Sequence, residues 1–288
     1  MEIKIALLQT APNKSKKANL ALIYELLKEA VSNGANIVCL PELFLGPYFC
    51  QEENEDNFKL AEPIPGPVTD QLSDYAKDLG IVLIASLFEK RSSSIFHNTA
   101  VVFDSDGTML GNYRKMHIPH DTGYYEKFYF TPGDLGYPVF DTAFGRIAVL
   151  ICWDQWFPEA ARLTALQGAQ IIFYPTAIGW DMRQKKDPSQ MAWKQAWQAV
   201  QIGHGVANSV FIAAINRTGV EGNIDFWGSS FVSDPQGTKI CEASEDKSEI
   251  MYADLDMSTL DNIRQEWPFF RDRRVDSYNK LLERWVDD

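Results

Sequence analysis

The sequence predicts an α/β layered sandwich, and three observations carry that prediction. Apolar strands alternate with amphipathic helices along the chain, several strands follow one another directly, and the helices can cover only one outer face of each sheet. A doubly wound single sheet ranks second because the strand count is high. At 288 residues and 45% hydrophobic content, the chain can bury one large core, and nothing in it forces a second domain.

Taken in order, Ile3 to Gln9 alternates as a short strand, Ala18 to Ser32 is an amphipathic helix closed by Gly34, and Ala35 to Leu40 is an apolar strand ending at Pro41-Glu42. Pro67 to Leu79 is predicted as a helix stopped by Gly80, with the strand Ile81 to Phe88 after it. His97 to Phe103 and Met109 to Lys115, joined through a Ser-Asp-Gly turn, form a β-hairpin whose second arm delivers Lys115 to a strand end. Met116 to Pro138 has no clean period, and so long a loop in a compact domain is usually functional.

Arg146 to Ile151 is a continuous apolar strand with Cys152 at its end, and Pro158 takes the first position of a helix running over Glu159 to Gln167. Gln170 to Pro175 is a strand, Ser189 to Asn208 a long helix and Val210 to Asn216 a strand. Phe226 to Asp234, Lys239 to Cys241 and Ile250 to Leu255 complete the strand count. From about residue 265 aromatic and charged residues alternate, which predicts an arm packed on the body or on a neighbouring subunit.

The formal net charge of −12 disfavours nucleic acid as a partner, and no dense basic stripe is present. Met1 to Gln9 has neither a basic start nor a continuous apolar stretch, and no run reaches membrane-spanning length, so no membrane association is expected. Cys39, Cys50, Cys152 and Cys241 lack CxxC spacing, which argues against a zinc site and fits the reducing cytoplasm. No cofactor or metal is expected.

Glu42, Lys115 and Cys152 each follow an apolar strand and are of types the interior does not favour. Carboxyl ends of strands line the ligand crevice in α/β sheets, so the three can converge there. Each alone has a bland explanation: an ion-paired carboxylate, a solvated lysine, a small buried thiol. Together they complete one mechanism. A thiol is mostly protonated near neutrality and needs a base or a nearby cation, and Glu42 and Lys115 supply both. Attack on a carbonyl makes an oxyanion that Lys115 and the Trp153 N–H can stabilise, each such donor being worth about 3 kcal/mol. A Cys-His pair is the alternative, with His97, His117, His120 and His204 as candidates; none has metal-ligand spacing.

Through Leu40-Pro41-Glu42-Leu43-Phe44, Tyr113-Arg114-Lys115-Met116-His117 and Ile151-Cys152-Trp153-Asp154, the chain resembles the nitrilase, or carbon–nitrogen hydrolase, superfamily over nearly all its length. The resemblance implies a four-layer αββα sandwich, a Cys-Glu-Lys thiol mechanism without cofactor, and assembly into homodimers or larger homo-oligomers. Residues 124–134 and 152–159 are similar to members that convert N-carbamoylputrescine to putrescine, carbon dioxide and ammonia. By that similarity Glu126 corresponds to a second glutamate that positions substrate and supports the acid–base steps. His120-Asp121-Thr122-Gly123 and Gly179-Trp180-Asp181 depart from the usual pattern.

A carbamoyl amine carries an ammonium a few methylenes from its carbonyl, so its pocket needs an acid or aromatic faces there. Asp181 is the first candidate for the acid, and Tyr48, Tyr124, Trp153 and Trp180 are candidate walls. A carbamoyl amino acid needs a cation instead, for which Arg217 is the candidate. Another small amide and a catalytically silent assembly protein are the remaining alternatives.

Overall fold

The computed structural model describes residues 2–12, 15–184 and 188–286. β1 (Glu2–Gln9) leads through α1 (Lys16–Ser32) to β2 (Ile37–Cys39), and α2 (Pro67–Leu79) leads to β3 (Val82–Lys90), so these strands pair in parallel. β4 (Phe96–Phe103) and β5 (Met109–Arg114) follow as an antiparallel hairpin, and the one-turn helix α3 (Glu126–Tyr129) interrupts the long loop beyond it. Next come β6 (Val139–Thr142), β7 (Gly145–Val149), α4 (Pro158–Leu166), β8 (Ile171–Pro175), β9 (Gly179–Asp181), α5 (Pro188–Asn208) and β10 (Phe211–Ile215). The chain closes with β11 (Thr218–Glu221), β12 (Ile224–Trp227), β13 (Phe231–Ser233), β14 (Lys239–Glu242), β15 (Glu249–Asp256) and α6 (Thr259–Glu266).

Two six-stranded sheets result, ordered β15-β1-β2-β3-β4-β5 and β14-β13-β10-β8-β7-β6, beside a small sheet β11-β12-β9. The two-residue period of the strands sorts their side chains into layers. Ile5, Leu7, Ile37, Cys39, Val82 and Ile84 face the second sheet, whereas Ala6, Leu8, Val38, Leu83 and Ala85 face Leu20, Ile23 and Leu27 of α1 and Leu72 and Ala76 of α2. On the far side, Ala160, Ala161 and Ala165 of α4 and Trp197 of α5 cover the second sheet. The architecture is the four-layer αββα sandwich, not a single doubly wound sheet.

Local chemistry sets the helix ends. Ser15 Oγ accepts from Ala18 N at the start of α1, Pro67 opens α2, and Gly80 ends α2 at φ 66°, a left-handed position that costs glycine little. The predicted strand Phe226 to Asp234 is instead two strands in different sheets. Gly228 and Ser229 stand at φ 51° and 54°, which turns the chain from β12 into β13, and a Cβ on Gly228 would meet Ser244 O at 2.6 Å. β6, β9 and β11 were not expected from the sequence; at three or four residues each, they are too short for a period to be visible.

Beyond α6 the arm runs through short turns, with Phe270 packed on the main core and Arg162 of α4 lying over its ring at 5.3 Å. Farther out, Leu282 and Trp285 are 94% and 80% exposed. No helix among the described residues is long and apolar enough to cross a membrane.

Candidate active site

The chain leaves β2 through Leu40-Pro41 and turns sharply at Leu43, φ 51°, which presents Glu42 to the interior. Lys115 directly follows β5, held in register by Lys115 N donating to Asn98 O at 2.9 Å. Cys152 lies three residues beyond β7 at φ 43°, opening a short 3-10 turn, Cys152–Trp156. A left-handed φ at a non-glycine residue costs on the order of 1–3 kcal/mol and persists only where its surroundings enforce it. Glu42, Lys115 and Glu126 are all fully buried.

Glu42, Lys115 and Glu126 meet, and Cys152, its Sγ 3.8 Å from Ala177 O, lies within electrostatic reach of all three. Lys115 Nζ donates to Glu42 Oε1 at 2.8 Å and to Glu126 Oε2 at 2.6 Å. Glu42 Oε1 also accepts from Asn98 Nδ2 at 2.7 Å, while Glu42 Oε2 is buried without a hydrogen-bond partner. Glu126 Oε1 accepts from Tyr48 OH at 2.7 Å. Burial pushes Glu126 up to about 7, with Lys115 pulling it down and Glu42 adding to the rise. Burial also works against the charge of Lys115, but Glu126 and Glu42 more than offset it and hold the ammonium well above the usual lysine range. The Cys152 thiol is raised by burial and by Glu42, Lys115 lowering it only in part, so at neutral pH it is a thiol. Lys115 was expected to favour the thiolate. Shared between two carboxylates, it does not prevail, and the sulfur needs a base.

Cys152 opens onto a cavity of about 570 Å³ lined by Tyr124, Trp153 and Asp181, with Pro119, Asp121, Trp156 and Trp193 around them. Tyr48 and Trp180 are not among its walls, contrary to expectation. Tyr48 is buried behind Glu126, where burial and that carboxylate raise its hydroxyl and keep it a donor, while Trp180 packs on Trp227 at 5.4 Å. Asp181 reaches the cavity but is no free acid: Arg183 Nε and Nη2 hold its carboxylate at 2.8 and 2.9 Å. Asp121, overlooked in the sequence, lines the same cavity, is exposed, and has no partner for its carboxylate among the described residues.

Arg217 is also reassigned. Fully buried, it donates from Nη2 to Glu42 O at 2.8 Å and Leu43 O at 3.0 Å, and from Nη1 to Glu221 Oε1 at 2.9 Å, so it clamps the Glu42 turn and cannot reach a substrate carboxylate. The histidines are engaged elsewhere: His97 Nδ1 with Thr131 O, His204 Nε2 with Gln155 O, and His117 Nδ1 with Asp154, while His120 is exposed. Among the described residues no His, Cys, Asp and Glu cluster could hold a metal ion.

A thiol opening onto a cavity, with two carboxylates and the ammonium they share buried within its electrostatic reach, defines a class of amide-type hydrolase. The chain belongs to the carbon–nitrogen hydrolase family, whose model matches residues 4–265. An N-carbamoylputrescine amidase of Arabidopsis thaliana is 43% identical over 98% of this chain and 95% of its own. A citrullinase of Francisella tularensis is 41% identical over 98% of this chain and 99% of its own. A solved carbon-nitrogen hydrolase from Helicobacter pylori G27 superposes with a TM-score of 0.95 at 44% identity, covering 99% of this chain and 100% of that one.

Proposed function

We propose that the chain hydrolyses the carbamoyl C–N bond of N-carbamoylputrescine to putrescine, carbon dioxide and ammonia, with Cys152 as nucleophile and Glu42 as general base. The observation that carries the mechanism is the unpartnered, buried Glu42 Oε2, left open for the thiol proton while Asn98 and Lys115 fix Oε1. As Glu42 takes that proton, the sulfur adds to the carbamoyl carbon, and the oxyanion is met by Lys115 Nζ and the Trp153 N–H. Glu42 then returns the proton to the departing nitrogen, a water that it activates frees the remaining acyl group from sulfur as a carbamic acid, and loss of carbon dioxide from that acid frees the second nitrogen. Glu126 holds Lys115 from its other side and supports these steps. The chemistry calls for no cofactor.

The substrate assignment is supported by N-carbamoylputrescine amidases of Arabidopsis thaliana and Solanum lycopersicum, 43% and 42% identical, and by the acids and aromatics at the cavity. Asp121, exposed at the cavity, suits an ammonium, and Tyr124 and Trp153 suit the methylenes before it. A ureido amino acid is the second candidate, favoured by the citrullinase relative.

The same proposal places one hydrolase domain, carrying its C-terminal arm, in the cytoplasm as a homodimer or larger homo-oligomer without nucleic-acid or membrane partners. Four free cysteines, three of them buried, suit a reducing compartment. Mass spectrometry after incubation with N-carbamoylputrescine, beside citrulline and beside Cys152→Ala, tests the assignment. Putrescine is expected from the wild type alone. Ornithine formed in preference would transfer the assignment to the ureido amino acid, and turnover by Cys152→Ala would end the thiol mechanism.

A further inference from the structure

Asp154 is a fully buried carboxylate outside the Cys-Glu-Lys cluster, and it takes four hydrogen bonds. Its Oδ2 accepts from Ile151 N at 2.9 Å and Tyr113 OH at 2.7 Å. Its Oδ1 accepts from His117 N at 3.0 Å and engages His117 Nδ1 at 2.7 Å. These donors come from two places in the chain. Ile151 immediately precedes Cys152, whereas Tyr113 and His117 lie two residues to either side of Lys115. The Tyr113 hydroxyl also accepts from Met116 N at 3.2 Å, and the His117 ring stacks on Phe157 at 3.7 Å, so the bracket around Lys115 is rigid on both sides.

We infer that Asp154 is a positioning residue that sets where the Cys152 sulfur stands relative to the Lys115 ammonium. The bond to Ile151 N fastens the left-handed turn at Cys152, and the bonds to His117 and Tyr113 tie that turn to the lysine segment. Only a carboxylate fits. Each oxygen receives one backbone N–H, which can never accept, so an asparagine turned either way would aim its NH2 at one of them. Asp154→Asn therefore breaks either the nucleophile turn or the lysine link while keeping shape and volume. A displacement of about 1 Å between reacting groups can cost roughly a hundredfold in rate with little change in binding.

This inference rests on the thiol mechanism proposed above but not on the identity of the substrate, so two readouts are needed. For Asp154→Asn in the full chain with N-carbamoylputrescine, kcat should fall about a hundredfold while KM stays within about threefold and thermal unfolding remains cooperative. Alkylation of Cys152 by iodoacetamide, which needs no substrate, should slow by about tenfold or more, and it separates failure of this inference from failure of the substrate assignment. Wild-type kcat, or a raised KM at unchanged kcat, would overturn the positioning role. If Asp154→Asn does not fold, Tyr113→Phe decides: it removes one link and should lower kcat at constant KM, and unchanged kcat and alkylation would reject the inference.

Discussion

Glu42 and Glu126 share one cation, and the sharing makes the site sensitive to pH. Because Glu126 is pushed up to about 7, it takes a proton as the pH falls through that value, and Lys115 is then drawn wholly onto Glu42. Held there, the ammonium is less free to meet the developing oxyanion, so kcat/KM should show an acid limb with a midpoint near 7. Stability runs the other way. The folded chain keeps the Glu126 proton up to about 7 whereas an unfolded one releases it near 4.5, so this residue's contribution is lost as the pH rises between those values. Glu126→Gln cannot titrate; it should displace the acid limb, lower kcat and flatten that part of the stability profile. An unmoved limb in the variant would assign it to another group. Glu42, Lys115, Cys152 and Glu126 were visible in the sequence because each is a reactive type at a strand end or in a motif. Asn98 was not, and Asp154 stood out only as part of the nucleophile motif, since a polar residue in or beside an apolar strand announces neither its partner nor its direction.

At the scale of elements, the site depends on what happens just past the strands. α1, α2, the β4–β5 hairpin and the core strands follow from period and capping, and the structure moves their ends by only a few residues. The small sheet β11-β12-β9 was hidden, yet it forms one edge of the site: Tyr124 OH accepts from Gly179 N at 3.0 Å, which ties the Asp121 loop to β9. Arg217, between β10 and β11, crosses to the Glu42 turn and neutralises Glu221, whose side chain is only 10% exposed. Removing one partner of such a buried pair typically costs about 3–5 kcal/mol. Arg217→Met should therefore lose stability on that order by urea denaturation and lose kcat as the Glu42 turn relaxes. Arg217→Lys keeps the charge but not the planar fork, and should fall between the two. Wild-type stability and kcat in Arg217→Met would show that the turn holds itself.

At the scale of the whole molecule, the two sheets close one core between them, and what stays open is the arm. The aromatics of the sequence lead to the expectation of an arm, but no pattern of residues says which surface receives it. Its inner end is accounted for by Phe270, on the core and under Arg162 of α4. Its outer end is not: Leu281, Leu282 and Trp285 lie open, and Leu163 and Leu166 of α4 add exposed apolar surface on the helix that the arm passes. Covering a large apolar side chain is worth roughly 1.5–3 kcal/mol, so burying several such residues from each copy works against the cost of association. The full chain should therefore sediment above its 32.7 kDa protomer mass, and Leu282→Ser with Trp285→Ser should shift it toward that mass without loss of cooperative unfolding. A full-length chain that sediments as a 32.7 kDa monomer at micromolar concentration would mean that the arm has no partner in a second copy.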